Sequence, residues 1–181
     1  MIEIRLAEER DIPVLDKLIP RSVYGLQAAF YSHAQMEGAL LGGIFAVDSQ
    51  LIRDGTYFVA EDENKIVGCG GWSRRKALYG GDKAKKGPEG ALLDPREDAA
   101  RIRAFFIDPD YARRGIGSEI TRRCESALLA AGFSRAFIVA TLPGEKLYER
   151  CGYSAIKRSE IVLPNHELLP VVEMAKEFVR G

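Results

Sequence analysis

The alternation of apolar and polar residues predicts the first elements of the chain. Residues 2–6 alternate apolar with charged side chains, which is typical of a strand with one buried face. Asp11 and Pro13 then begin a helical pattern, with an acidic residue and a proline in the first turn. Residues 22–52 are largely apolar and helical in pattern, but glycines interrupt them. We therefore predict two short helices in that region.

Two β-rich runs give the clearest local prediction. Residues 56–61 and 65–72 are joined by Asp62-Glu-Asn, and this arrangement predicts an antiparallel hairpin. Residues 73–99 follow without any hydrophobic period and contain several glycine and proline pairs. We predict a long mobile loop there. Unstructured segments of this length are uncommon inside compact domains and are often functional, although a solvated insertion is the alternative.

Strand and helix patterns are mixed in the second half of the chain. Residues 101–107 form a strand-like run. Residues 115–131 place their apolar side chains on one helical face, and Gly132 follows where a left-handed helix end is favoured. The remaining predicted elements are a strand at 133–140, a short helix at 143–152 and strands at about 153–163 and 168–175.

Length and charge favour one ordinary globular domain over residues 1–181. The chain has 181 residues, with 26 Lys and Arg against 26 Asp and Glu. A domain of this size buries a core without a disulfide or metal. Zero net charge provides no general field for a phosphate backbone, so nucleic-acid binding is not expected beyond a local patch. The basic stretch between Arg74 and Lys86 is the one candidate for such a patch.

The cysteines and histidines are too few and too widely spaced for a zinc site, and we expect no metal. They are Cys69, Cys124, Cys151, His33 and His166. We interpret the cysteines as small buried hydrophobic residues of a reduced, cytoplasmic protein. The longest strongly apolar run, residues 38–47, is half of the roughly 20 residues that a membrane helix needs. The acidic start also differs from a signal peptide.

The segment Ala112-Arg-Arg-Gly-Ile-Gly-Ser118 lies between a predicted strand and the first turn of a predicted helix. The first N–H groups of a helix have no internal partner and lie at the positive end of its dipole. A glycine-bearing turn there lets a pyrophosphate approach closely. A P-loop would need Gly-Lys-Ser/Thr, and a dinucleotide fingerprint would need Gly or Ala at Ile120; both are missing.

Two motifs resemble those of a known family. The run Phe105-Phe-Ile-Asp-Pro-Asp-Tyr-Ala-Arg-Arg-Gly-Ile-Gly resembles the acyl-CoA-binding motif of the GCN5-related N-acetyltransferases (GNATs). Leu147-Tyr-Glu-Arg-Cys-Gly-Tyr153 resembles the second motif of that family, Leu-Tyr-Glu-Lys-x-Gly-Phe. The resemblance implies an α/β (mixed α+β), GNAT-like fold. Its centre would be a mixed, mostly antiparallel, twisted sheet of six to seven strands flanked by about four helices.

The resemblance also implies that acetyl-CoA binds at the first motif. The strand before the loop would carry a bulge whose backbone N–H groups meet the pantetheine arm and the thioester oxygen. The residues expected to contact CoA are Phe106, Ile107, Ala112, Arg113, Arg114, Gly115, Ile116, Gly117, Ser118, Thr141, Lys146 and Tyr148. Two positions depart from the family pattern: Ala112 replaces a usual Gln or Arg, and Thr141 replaces a frequent Asn. We expect little loss at Ala112, because backbone N–H groups make most phosphate contacts.

Acetyl transfer to an amine requires a neutral amine, a donor to the carbonyl oxygen and a proton for the departing thiolate. Tyr148 matches the usual general acid of the family, with a core-packing tyrosine as the alternative. The strand at 101–107 contains no carboxylate to act as a base. Glu61 and Asp98 are the candidate bases, and a chain of water molecules is an alternative to both.

The predicted acceptor is a primary amine of a small molecule. We expect its pocket to be built from the two helices at 22–52, the hairpin end at Trp72 and Ser73, and the loop after it. Tyr24, Phe30, Tyr31 and Trp72 would form an apolar, aromatic wall, although such residues more often belong to the core. Two other function classes stay open: a non-catalytic acyl-CoA-binding or regulatory module, and an acetylase of a protein or of an RNA-linked amine that uses the basic loop 74–86. The edge of the C-terminal hairpin also offers a surface for a homodimer.

Overall fold

The chain forms one seven-stranded mixed sheet in the computed structural model, which describes residues 1–84 and 90–179. The order of the strands across the sheet is β1-β2-β3-β4-β5-β7-β6. All neighbouring strands are antiparallel except β4 and β5, which are parallel. The strands are β1 Glu3–Leu6, β2 Tyr57–Asp62, β3 Lys65–Ser73, β4 Ala100–Ile107, β5 Arg135–Thr141, β6 Ser154–Val162 and β7 Leu168–Glu177. The predicted fold class is confirmed.

Five α-helices flank the sheet within the described residues. They are α1 Ile12–Leu26, α2 His33–Leu41, α3 Ser49–Arg53, α4 Ile116–Ala130 and α5 Glu145–Arg150. Side chains of the first three helices pack into one hydrophobic cluster, and those of α4 pack into a second cluster. The region 22–52 therefore contains the end of α1 as well as the two short helices predicted there.

Local signals in the sequence explain where several elements begin and end. The hydroxyl of Ser32 accepts from the Gln35 amide at 3.1 Å, and the Gln35 side chain accepts in return from the Ser32 amide, which forms a capping box at the start of α2. Glu63 and Asn64 both have positive φ in the tight turn between β2 and β3. Gly132, with φ of 92°, ends α4.

All three cysteines are free thiols. Cys69 and Cys124 are buried as expected, whereas Cys151 is only half-buried. Burial raises the pKa of the Cys69 thiol to about 12, and a thiol in that state is a poor nucleophile. Among residues 1–84 and 90–179, no group of three His, Cys, Asp or Glu side chains is arranged to hold a metal. No described helix has both the length and the apolarity needed to cross a bilayer.

The long connection between β3 and β4 is tied to the fold along its described parts. Arg75 makes two hydrogen bonds to the Asp54 carboxylate, at 2.8 and 2.9 Å. The Asp82 carboxylate accepts from the Ser49 amide at 3.0 Å, at the start of α3. These contacts hold residues 75–82 against α3, where the sequence had predicted a mobile segment.

Candidate active site

The two parallel strands at the centre of the sheet pair over a short distance only. β4 and β5 are paired at Ala100 with Ala136 and at Arg101 with Phe137, and the remainder of the two strands is not paired. A cavity of about 800 Å³ lies where they separate, lined by residues 102–107 of β4 and by the second half of β5. This gap gives access from both faces of the sheet to the middle of the domain.

A β-bulge interrupts β4 beside this gap. The register between β3 and β4 shifts by one residue, and Ala104 has a φ of 60°. The buried hydroxyl of Tyr57 donates to the Ala104 carbonyl at 2.8 Å. This hydrogen bond replaces the strand pairing that the carbonyl oxygen loses at the bulge. Gly70 lies opposite, where a Cβ would come within 2.6 Å of the Phe105 ring. The bulge that the family resemblance implies is therefore present.

One backbone amide after the bulge points away from β3. The Ile107 N–H donates to the hydroxyl of Ser22 on α1 at 3.0 Å, and both residues line the cavity. The neighbouring Phe106 also lines the cavity, although its side chain is buried in the core. The amide of Ile107 was expected to be free, and the structure instead gives it a hydroxyl partner that a ligand carbonyl would have to replace or share.

A buried carboxylate fixes the start of the glycine-bearing loop. Asp108 is almost fully buried and accepts from Lys65 Nζ at 2.9 Å, Arg21 Nε at 3.2 Å and the Asp110 amide at 3.0 Å. Burial alone would raise the pKa of Asp108, but the hydrogen bonds from these donors outweigh it and leave the pKa below its usual value. The ionised carboxylate therefore anchors the loop to β3 and α1.

The loop turns into α4 through two left-handed residues. Arg113 has a φ of 63° and Gly115 a φ of 80°. The Glu119 amide donates to the Gly115 carbonyl at 3.0 Å, so the N–H groups of the residues between them have no partner within the helix. Four residues of this turn line the cavity: Ala112, Arg113, Gly115 and Ser118. The first turn of α4, with the positive end of the helix dipole, thus borders the gap.

The other three predicted loop residues do not line the cavity. The Arg114 guanidinium lies 4.6 Å from the centre of the Tyr111 ring and donates to the Asp110 carbonyl, which folds it back on the loop. Ile116 is buried in the core. A Cβ on Gly117 would lie 2.9 Å from a Leu147 methyl group, so glycine here permits α4 and α5 to pack closely.

Tyr148 reaches the same cavity from α5. Its side chain is 3% exposed and packs edge-on against Phe105 and Tyr153, with ring centroids 5.8 Å apart in each pair. Burial raises the pKa of Tyr148 well above its ordinary value, so the phenol stays protonated at neutral pH. Thr141 and Lys146 line the cavity nearby. The geometry therefore places a protonated donor at the gap between β4 and β5.

The two candidate bases lie elsewhere. The Glu61 carboxylate accepts from Arg5 Nε at 2.8 Å, and it does not border the cavity. The Asp98 carboxylate accepts from the Asp94 amide at 2.7 Å and closes a turn before β4. Both carboxylates are engaged in local structure, and neither is brought to Tyr148 or to the loop.

Of the residues predicted for the acceptor pocket, Phe30 lines the cavity, whereas Tyr24, Tyr31, Trp72 and Ser73 do not. Trp72 is buried against Phe133, and the Ser73 hydroxyl accepts from the backbone of the next loop. Tyr31 donates to the Pro170 carbonyl at 2.7 Å, and Tyr24 is 39% exposed and stacks on His33. These aromatic residues support the fold around the site.

Comparison with known proteins agrees with this geometry. Residues 23–153 match the family model described as the acetyltransferase (GNAT) family. The chain belongs to the GNAT acetyltransferase family. No curated protein matches its sequence.

Solved structures share the fold of this GNAT acetyltransferase. A GCN5-related N-acetyltransferase from Rhodopseudomonas palustris has a TM-score of 0.72 at 20% identity, with 97% of this chain and 95% of that chain covered. A PaiA N-acetyltransferase from Thermoplasma acidophilum, in complex with coenzyme A, has a TM-score of 0.67 at 14% identity, with 98% and 99% covered. A GNAT family acetyltransferase from Brucella melitensis, in complex with acetyl-CoA, has a TM-score of 0.57 at 16% identity, with 99% and 90% covered.

On the α1 side, the cavity of this acetyltransferase is lined by parts of the predicted regions, residues 22–52 and the loop after Ser73, but its individual polar residues were not predicted. Gln27 and Arg103 supply its polar groups, and residues 44–46 and 78–81 supply further walls. The one available signal was polarity, since Gln27 and Arg103 are polar residues in otherwise apolar runs. Their meeting at one cavity depends on loops that are distant in the sequence.

Acidification should weaken the interactions by which the Asp108 carboxylate holds the loop of this acetyltransferase in place. The pKa of Asp108 is lower in the folded chain than its unfolded value of about 3.9, so its stabilising contribution is complete above that pH and is lost as the pH falls through the lowered value. We expect the unfolding midpoint to fall more steeply with acidification in the native chain than in Asp108→Asn. Thermal melts followed by circular dichroism in acidic buffers measure both slopes, and equal slopes would contradict the assignment.

Proposed function

We propose that this GNAT acetyltransferase transfers an acetyl group directly from acetyl-CoA to a primary amine of a small molecule. The observation that carries the proposal is the cavity between β4 and β5. Its lining brings together the α4 loop, Tyr148 and a separate group of residues from the α1 side. A donor and an acceptor entering from opposite faces of the sheet would therefore meet at the gap.

The residues on the α4 side fit the charge and shape of CoA. The turn before α4 offers backbone N–H donors that have no helical partner, as a pyrophosphate requires. Arg113, Lys146 and Arg150 line the same cavity and supply positive charge. The unpaired edge of β4 near Ile107 offers backbone groups at which an extended, amide-containing arm would pair.

Acetyl-CoA would supply an activated acetyl thioester at this position. In the proposal, the backbone N–H groups near Phe106 and Ile107 donate to the pantetheine arm and the thioester oxygen. The Ile107 amide donates to the hydroxyl of Ser22 in the free chain, so a ligand oxygen would replace or share this partner. Tyr148 holds a proton that its hydroxyl gives to the departing sulfur.

The proposal does not use a carboxylate base. Glu61 and Asp98 are bound within local structure, away from the cavity. Water in the cavity is the group we assign to carry the proton away from the amine, as the alternative in the sequence reasoning had it. The pH dependence of the rate then reflects the ionisation of the amine and of Tyr148.

The side of the cavity near α1 supports a small, largely apolar acceptor. Its walls include Leu26, Phe30, Ile44, Phe45 and Leu78. A cavity of about 800 Å³ is in the range of small-molecule sites, and it must hold part of the CoA arm as well. The free thiols support a reducing, cytoplasmic setting as part of the proposal.

A screen of amines tests the proposed activity. The purified chain is mixed with acetyl-CoA and amines of several classes, and release of free CoA thiol is measured, with CoA affinity determined by calorimetry in parallel. We expect CoA binding together with amine-dependent thiol release. Binding without release for any amine would favour the non-catalytic module instead.

The same screen distinguishes the acceptor classes. Small amines, peptides and aminoacylated RNA are compared at equal amine concentration. Preference for a peptide or an RNA-linked amine would contradict the small-molecule assignment. The RNA alternative relies on Lys83, Lys85 and Lys86; the last two residues and the side chain of the first lie outside the described part of the chain.

A further inference from the structure

The carboxamide of Gln27 is a buried polar group without a partner. Gln27 is 7% exposed and lines the cavity, and its buried Oε1 has no hydrogen-bond partner among residues 1–84 and 90–179. Such groups are rare in folded proteins, because an unsatisfied buried amide costs about 1 to 3 kcal/mol. An unpaired amide at a cavity wall is explained when a ligand supplies the missing partner.

The backbone places this carboxamide firmly. Gln27 follows the last turn of α1, and its amide donates to the Val23 carbonyl at 2.9 Å. Its own carbonyl accepts from the Tyr31 amide, also at 2.9 Å. With both backbone groups bonded, the backbone of Gln27 is held at the cavity wall on the α1 side.

The surroundings of Gln27 disfavour an ammonium ion. Leu26, Phe30 and Phe45 line this side of the cavity, and apolar walls remove water from a charge. The cationic lining residue on the same side is Arg103, which is itself buried and paired with Asp48 at 2.9 Å. Desolvation and a guanidinium both lower the pKa of an amine placed beside them.

The described part of the cavity lining also contributes no carboxylate that would stabilise an ammonium ion. None of its described lining residues is Asp or Glu. The full set of charged and titratable lining residues is Tyr79, Arg103, Arg113, Lys146, Tyr148 and Arg150. Burial raises the pKa of Tyr148, so that phenol carries no negative charge at neutral pH and would not stabilise a bound ammonium ion.

We propose that the natural acceptor is a small, weakly basic primary amine with an apolar body, of the α-amino type found in amino-acid amides, and that the Gln27 carboxamide oxygen accepts a hydrogen bond from its N–H group. The inference rests on the proposed acetyltransferase function and specifies its substrate class. Simple alkylamines and polyamines, which are charged at neutral pH, are then poor acceptors.

The size of the expected preference follows from reference pKa values. An α-amino group has a pKa of about 7.7 to 8.0 and a lysine-type amine one of about 10.4, so near pH 7 the neutral fraction of the first is roughly 300-fold larger. Alkylamines are intrinsically better nucleophiles, which offsets part of this ratio. We expect kcat/KM at neutral pH to favour the weakly basic amine by at least about tenfold.

Pairs of acceptors with the same apolar body give the test. Phenylalaninamide is compared with 2-phenylethylamine, leucinamide with isopentylamine, and valinamide with isobutylamine, each over a range of pH. We expect the amide of each pair to be preferred at neutral pH. The log of kcat/KM should rise with pH up to the pKa of the acceptor itself, so that the two members of a pair converge in alkaline buffer.

A variant tests the role of Gln27 directly. Gln27→Glu keeps the shape of the side chain and adds a carboxylate, which favours a bound ammonium ion and can take up its proton. An opposite charge within about 4 to 6 Å of an ionisable group shifts its pKa by about 1 to 3 units. The preference for the amide over the alkylamine should therefore fall by at least about tenfold. Gln35→Glu is the matched control, since Gln35 lies on α2 and does not line the cavity. A Glu keeps the capping box but loses the hydrogen bond from Gln35 Nε2 to the Leu168 carbonyl, so the thermal stability of this variant is measured as well.

The outcomes separate this inference from the proposed function. Preference for the alkylamine in every pair, or unchanged preference in Gln27→Glu with its fold intact by circular dichroism, overturns the inference alone. If neither the amino-acid amides nor the alkylamines are acetylated while other amines release thiol, the proposed substrate class is wrong. If no amine of any class releases thiol, the acetyltransferase proposal fails as well. If Gln27→Glu does not fold, the pH profiles of kcat/KM for the amine pairs, measured with the native chain, still test the proposed substrate class.

Discussion

Replacing Tyr148 by phenylalanine is expected to lower kcat by about 100-fold to 10,000-fold, the usual contribution of general acid–base catalysis. The ring would keep its edge-on contacts with Phe105 and Tyr153, because only the hydroxyl is removed. CoA affinity and thermal stability should change little. Steady-state kinetics with a saturating amine, together with calorimetric titration of CoA, measure the two effects separately.

Tyr153→Phe is a matched control for this substitution. Tyr153 packs against Tyr148 and is equally buried, but its hydroxyl does not line the cavity and has no hydrogen-bond partner in the described residues. Removing that hydroxyl should leave kcat nearly unchanged. A large loss in both variants would show that packing around the two rings, rather than proton donation by Tyr148, controls the rate. Loss of CoA affinity in Tyr148→Phe would likewise count against a catalytic role.

The second large effect is expected at the turn before α4. Gly115 has a φ of 80°, and a β-branched residue in that conformation is strained by at least about 1 to 2 kcal/mol. Gly115→Val should relieve the strain by moving the N–H groups that face the cavity. Each hydrogen bond to a charged group contributes about 1.5 to 3 kcal/mol, so the Kd for CoA should rise by roughly 10-fold to 100-fold.

Gly55→Val separates this effect from general loss of stability. Gly55 has a similar φ of 68°, and a Cβ there also meets no atom within 4 Å. It lies between α3 and β2, and it does not line the cavity. Both variants should lose similar thermal stability, but only Gly115→Val should bind CoA more weakly. Equal CoA affinity in the two variants would contradict the placement of the phosphates at the α4 loop.

The elements of the fold were predictable because their sequence patterns are local. Residues 65–72 combine β-rich side chains with a tight turn before them, and Ile116, Ile120 and Cys124 repeat at helical spacing. The glycine-bearing loop was predictable for the same reason, since its donors belong to one short turn and the start of one helix. Its anchor at Asp108 was not foreseen, because Lys65 and Arg21 come from distant elements.

The α1 side of the cavity was not predictable from patterns. Aromatic residues such as Trp72 and Tyr31 were expected at the acceptor, yet burial in the core satisfies them equally well. The residues that do line this side come together only through tertiary contacts: Gln27 from the end of α1, Leu78 from the long loop and Arg103 from β4. A hydrophobic pattern reports that a side chain is buried, and it does not report which segments it will meet.

The placement of α1 limits how acceptor preference can be altered by engineering. Arg21 and Ser22 are bonded to residues 107–110, and a Cβ on Gly25 would lie 2.3 Å from a Pro109 ring atom. Changes in this part of the helix would disturb the thioester side at the same time. A library aimed at new amines is therefore best confined to the cavity-lining positions 26, 27, 30, 44, 46, 78 and 79, away from the part of α1 that contacts residues 107–110.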